Sequence, residues 1–191
     1  MKNVHIYIIG YPGTGKYTIA KEICESDKDF RLVDNHLVNN PVFSIIHQDG
    51  KTPLPQQVWD NVGRIWDVIL DTMVNLSPKD YSFVMTNFLH KACPDDSLWF
   101  ETVRDMAEKK RGSLFIPVHI HCSIEENKKR VIRPDRAMRM KCIDPDLVEN
   151  WHNHDAIIDV DHPNFLELDV TDLSPQDSVR AILKHAEKCA K

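Results

Sequence analysis

Apolar residues follow two rhythms along the chain. Short apolar or alternating runs occur at Val4–Ile9, Arg31–Asp34, Tyr81–Thr86, Leu114–His121 and Phe165–Asp169, each bounded by turn-forming residues. Runs of this length predict strands. Between them, apolar positions recur at steps of three and four, which predicts amphipathic helices. Such a helix is expected over Thr18–Glu25, where Ile19, Ala20, Ile23 and Cys24 share a face. A long one is expected over Gln56–Leu76, on the stripe Val58, Val62, Ile65, Ile69, Met73 and Leu76, and another over Ser97–Lys110, stopped by Gly112. Asn40 and Pro41 read as the cap and first residue of a short helix, Val42 to His47, ending at Asp49-Gly50. Ser123 with Glu126 reads as a capping box, and Ser174-Pro175-Gln176-Asp177 opens a last helix. The segment from Asp144 to His162 predicts a helix followed by a loop.

Five strands alternating with helices predict an α/β fold: three layers, with a five-stranded parallel sheet covered by helices on both faces. Ligands of such sheets bind beyond the carboxyl ends of the strands. Chemistry is therefore expected at residues 10–18, 34–36, 86–90, 121–122 and 169–172.

Composition narrows this further. The chain has 191 residues, 42% hydrophobic and 28% charged, which is enough for one folded domain over its whole length. A net charge of −5 argues against nucleic acid or a membrane surface as the main partner. No long apolar segment or signal peptide precedes the first strand. The five cysteines are scattered, as expected of reduced thiols in the cytoplasm. His119, His121 and Cys122 form one possible ligand group, and His152, His154 and Asp155 another. Neither has a third ligand at a recognised spacing, so both read as buried or paired histidines and no protein metal ligand is assigned. Trp59, Trp66, Trp99 and Trp151 read as core or pocket wall.

The densest signal is GYPGTGKYT at residues 10–18. Strand, glycine-rich turn and helix is the context in which Gly-x-x-x-x-Gly-Lys cradles phosphate. Gly10, Gly13 and Gly15 let backbone N–H groups converge, and the following helix adds its positive end. Lys16 is expected to stand exposed in the loop and to reach the outer phosphates. Thr14, Tyr17 and Thr18 complete the expected nucleotide-binding stretch. Tyr17 occupies the place of the usual Ser or Thr, and its ring is too large to put an oxygen where a serine hydroxyl sits. No hydroxyl from position 17 is therefore expected on magnesium.

With this loop at its N-terminus, Asp34 at the end of the second strand and an Arg-rich segment late in the chain, the sequence resembles the small P-loop kinases. These include nucleoside monophosphate kinases, shikimate kinase and chloramphenicol phosphotransferase. The resemblance implies a P-loop NTPase fold, ATP and Mg²⁺ as cofactors, and transfer of phosphate to a small hydroxyl- or phosphate-bearing metabolite. It implies a lid at about residues 128–144 and an acceptor-binding region at about 37–75. Lys16, Asp34, Arg133 and Arg136 are the expected catalytic residues, with Asp34 on the acceptor hydroxyl or the metal and His36 two residues on. The sequence departs from the family at Tyr17, and at Thr86-Asn87, where many P-loop proteins carry an acid. Two other readings stand beside the kinase: a regulatory NTP-binding module or slow NTPase, and a nucleic-acid end-processing kinase.

Overall fold

The computed structural model describes residues 1–46, 52–154 and 156–191. The expected helix end at His47, its stop at Asp49-Gly50, and Asp155 lie outside the described residues. Five strands form one parallel sheet: β1 (Val4–Ile9), β2 (Phe30–Asp34), β3 (Ser82–Asn87), β4 (Leu114–His121) and β5 (Leu166–Asp169). Their order across the sheet is β2-β3-β1-β4-β5.

β1 is central, and all six of its residues are buried. Its period-two alternation serves two cores. Tyr7 and Ile9 face one layer, where α3 (Gln56–Asn75) supplies Val62, Trp66, Leu70 and Met73, and α4 (Pro94–Asp105) supplies Phe100 and Val103. Ile6 and Ile8 face the other, against Ile19, Ala20 and Ile23 of α1 (Lys16–Ser26) and Val179, Ile182 and Ala186 of α8 (Pro175–Cys189). Each fully buried aliphatic side chain stabilises the fold by roughly 1.5–3 kcal/mol. The remaining helices are α2 (Asn35–Phe43), α5 (Ile124–Val131), α6 (Pro134–Ala137) and α7 (Pro145–His154).

Several boundaries differ from the sequence reading. α2 does not begin at Pro41. It starts at Asn35, directly after β2, because Asp34 caps it by accepting from the backbone N–H of His36. Pro41 then lies within its last turn. α4 begins three residues earlier than expected, at Pro94, where a missing N–H is no loss and Asp95 and Asp96 complement the positive helix end. Its last turns widen into a π-helical segment, Met106–Arg111, closed by Gly112 in the left-handed region at φ 70°. On α3, Leu76 is 75% exposed and Leu70 takes its place in the core. The capping box of α5 is half made. Ser123 Oγ accepts from Glu126 N, but the Glu126 carboxylate turns to Arg130.

Arg111 ties these layers together, and periodicity gives no hint of it. Its buried guanidinium donates to Met73 O, Ser77 Oγ, Pro78 O and Tyr81 O, and lies 4.8 Å from the centre of the Phe83 ring. It thus satisfies carbonyls at the end of α3 and along the turn into β3. Replacement by methionine keeps the stem and removes every donor. Arg111→Met is expected to cost about 3 kcal/mol in urea-induced unfolding, the cost of leaving buried carbonyls unpaired. A loss below about 0.5 kcal/mol, the range of ordinary surface substitutions, would show that water replaces the guanidinium.

Candidate active site

The loop after β1 crosses the carboxyl edge of the sheet and leads into α1. Gly15, at φ 102°, caps α1 in the left-handed region that only glycine enters cheaply. Gly13 is needed for a different reason: a Cβ there would stand 2.4 Å from Asn127 Nδ2. Asn127 is buried on α5 and donates to Pro12 O at 2.8 Å, so α5 fixes the loop from behind. Thr14 is fully buried, and its hydroxyl donates to Tyr11 O at 2.9 Å. Its hydroxyl thus braces the turn of the loop, and Thr14 is also among the residues that line the cavity. Thr18 is exposed at the cavity rim.

Lys16 is not exposed as expected. Its ammonium folds back onto the loop, donating to Gly10 O at 2.6 Å and Tyr11 O at 2.8 Å. Burial, reinforced by the nearby positive charges of Arg136 and Lys141, lowers its pKa from the usual lysine range to about 7. Tyr17 has an unforeseen setting. The Arg139 guanidinium lies 4.4 Å from its ring centre, and the Lys141 ammonium lies 4.6 Å from it. Met140 between them adopts φ 53°, a strained value for a side chain of its size, and this turn brings both cations onto the same ring.

Asp34 is 3% exposed at the end of β2. The Thr86 hydroxyl donates to its Oδ1 at 2.6 Å, the His36 N–H donates to its Oδ2 at 3.2 Å, and Lys141 Nζ lies 3.8 Å from Oδ2. A carboxylate has about four lone-pair sites, so these partners leave acceptor capacity. Burial and then Lys141 lower the His36 pKa to about 4, so the ring is neutral near pH 7. Its Nδ1 lies 3.1 Å from Asn40 Oδ1. Asn87, at the end of β3, donates to Asn35 Oδ1 at 3.1 Å, while its own Oδ1 is buried with no hydrogen-bond donor among the described residues.

The Arg-rich segment divides by role. Arg130 belongs to α5 and is locked in place, bonding Glu126 and donating to the carbonyls of Thr14, Val170 and Thr171. Arg136 grips Cys142 O with both Nε and Nη2, at 3.1 and 2.8 Å. Arg133 is exposed, and its side chain makes no hydrogen bond among the described residues. All three, with Lys16, Asp34 and Asn87, line one cavity of about 580 Å³. Its lining also includes four aromatic residues: Phe43, Phe88, Trp151 and the 44%-exposed Trp59. Trp66 is core, donating to Asn39 Oδ1, and Trp99 packs against it. His119 and His121 both lie near Glu167, at 3.5 and 4.0 Å, while His152 faces Asn127 Oδ1 and His154 faces Asn150 O.

Similar architectures are found among solved structures. A gluconokinase from Sinorhizobium meliloti is 15% identical with a TM-score of 0.63, the match covering 98% of this chain and 94% of that one. Shikimate kinase from Aquifex aeolicus is 16% identical with a TM-score of 0.56, covering 98% of each chain. An APS kinase from Mycobacterium tuberculosis, in complex with AMPPNP and APS, is 11% identical with a TM-score of 0.59, covering 97% of this chain and 98% of that one. The chain has the fold of the P-loop kinases. No protein-family model matches its sequence, and no curated protein does. In that shared fold, the loop at residues 10–18 and the ends of β2 and β3 lie together at one edge of the sheet, around the cavity. No helix among the described residues is long and apolar enough to cross a membrane.

The Lys16 environment sets the pH dependence expected of any anion that enters the loop. An anion placed in the loop favours the charged amine and raises its pKa toward the usual range. Binding therefore takes up a proton above pH 7, and affinity falls as pH rises from about 7 toward 10, by at most about tenfold per unit. Calorimetry with tripolyphosphate at pH 8.5, in two buffers of different ionisation enthalpy, should show the uptake. Lys16→Met should abolish it. Equal uptake in both proteins would assign the proton to another group.

Proposed function

We propose that the protein is an ATP-dependent phosphotransferase acting on a small hydroxyl- or phosphate-bearing metabolite. The observation that carries this reading is that the glycine-rich loop and a buried carboxylate, Asp34, line one cavity together with four aromatic side chains. Transfer of a phosphoryl group needs alignment, charge neutralisation and a destination for the acceptor proton. The loop amides, Lys16 and Arg133 supply the first two. Asp34 takes the proton of the acceptor hydroxyl as its oxygen bonds the γ-phosphorus, and the bond to the β–γ bridging oxygen breaks to release ADP. Asn87 Oδ1, an unfilled acceptor in the wall, suits a donor group on the substrate. Phe43, Trp59, Phe88 and Trp151 suit the substrate's apolar or ring faces. The acceptor region then draws on α2 and the start of α3, within residues 37–75. The closing segment runs from Ile132 to Asp144, since Lys128–Arg130 are already part of α5.

Magnesium fits this site indirectly. We assign position 17 no metal ligand, since its ring is too large to put an oxygen where a serine hydroxyl sits, and its ring carries Arg139 and Lys141. Asp34, with Thr86 and His36 already on its oxygens, would hold the ion through water, an arrangement magnesium accepts readily. When bound, the ion neutralises phosphate charge. Arg139 and Lys141 place fixed positive charge in the same neighbourhood. The same stacking is the one observation that favours a slow NTPase or regulatory module, because it holds the closing segment against the loop before any ligand enters.

Asp34→Asn keeps shape and removes basicity. Steady-state assays with an acceptor, found by screening ATP consumption against pooled metabolites, should show kcat reduced about 10²-fold or more. ATP affinity should change little. Full activity in Asp34→Asn would reduce Asp34 to the cap of α2. ATP consumption no faster with any acceptor than in water alone would favour the regulatory module.

A further inference from the structure

A second cluster lies one aromatic ring away from the cavity, and the function proposed above makes no use of it. His90, Cys93 and Asp96 follow β3 at regular three-residue spacing. One ligand atom from each, an imidazole nitrogen, a thiol sulfur and a carboxylate oxygen, lies within 4.8 Å of the others, and all three residues are partly buried. Cys93 is the residue before α4, and Asp96 sits in its first turn. Backbone bonds from Cys93 N to His90 O and from Asp96 N to Cys93 O fold the turn, and His90 N donates to Asp96 Oδ2 at 2.8 Å.

His90 Nε2 and Asp96 Oδ2 are 3.7 Å apart, too long for a hydrogen bond. A tetrahedral zinc ion, with nitrogen and oxygen ligands at about 2.1 Å and sulfur at about 2.3 Å, sets its ligands roughly 3.4–3.6 Å from one another. The observed gap is close to that edge. The nearest lysine in sequence, Lys91, is paired with Asp159 at 2.7 Å. The signal in the sequence is the spacing His-x-x-Cys-x-x-Asp, away from the paired histidines.

We propose that His90, Cys93 and Asp96 bind a zinc ion, with water in the fourth position. Thiolate and imidazole select zinc over magnesium, whose ligands are oxygens. The ion holds the β3–α4 turn in place. That turn pairs with the chain after α7 through the His90–Ile157 bridge and the bond from Lys91 N to Ala156 O. The His90 ring stacks on Phe88 at 5.2 Å and 20°, and Phe88 lines the cavity. The ion thus fixes a turn beside the pocket and keeps one position open to water.

The test uses the full chain stripped with a chelator and titrated with Co²⁺, then Zn²⁺. One equivalent of cobalt should give visible absorption of tetrahedral type and a near-ultraviolet band from thiolate to metal. Zinc should displace it, and millimolar magnesium should not. Cys93→Ser should lose the thiolate band, while Cys24→Ser, on α1, should keep it. Asp96→Asn and His90→Gln should keep the band and weaken cobalt affinity at least about tenfold. These two variants carry the test if Cys93→Ser does not fold. No band at one equivalent, a band that survives in Cys93→Ser, or unchanged affinity in the other two variants overturns the proposal. Loss of the kinase reading would leave the metal titration unaffected.

Discussion

Positive charge crowded into a half-closed space is the constraint around which this site is built. Lys16, Arg130, Arg133, Arg136, Arg139 and Lys141 line the same cavity as Asp34 and Asp135. Like charges this close repel strongly where water is scarce. Each cation is accommodated differently. Lys16 yields its proton near pH 7 and rests on two loop carbonyls. Arg130 is spread over three backbone carbonyls and Glu126, and Arg136 over one carbonyl. Arg139 and Lys141 lie on the face of Tyr17. Arg133 remains in solvent. An arrangement of this kind is stable alone, yet a polyanion satisfies it better, which is the physical case for a nucleotide triphosphate.

The sheet makes the crowding possible. In the order β2-β3-β1-β4-β5, every strand points the same way, so the glycine-rich loop, Asp34 and Asn87 arrive together at one edge. α5 then braces the loop through Asn127 and Arg130. The same α5 leads into the segment carrying the remaining cations, so the loop and the segment over it share one support.

Much of this frame was legible in the sequence because it rests on local rules. Strand and helix periods, the glycine spacing, the Ser174 cap and the Gly112 stop each depend on a few neighbouring residues. The misreadings came where a distant contact decided the outcome. Asn40-Pro41 looked like a helix start, but Asp34 caps the chain six residues earlier. Lys16 looked exposed because nothing local shows the carbonyls it folds against. Tyr17 looked like a defect in the motif. Its use as a platform for Arg139 and Lys141 depends on residues more than a hundred positions away. Arg111, Asn127 and Arg130 belong with it: each acts by satisfying backbone groups that pattern reading does not count.

The central claim is that the loop and the cation-rich segment close together on one polyphosphate ligand. Hydrogen exchange of the intact protein, with and without a nonhydrolysable ATP analogue, tests it most directly. The account predicts slowed exchange in both residues 10–18 and residues 132–144, with the outer strands β2 and β5 unchanged. Protection of the loop alone would leave the segment a solvated surface, and no protection in either would contradict the account.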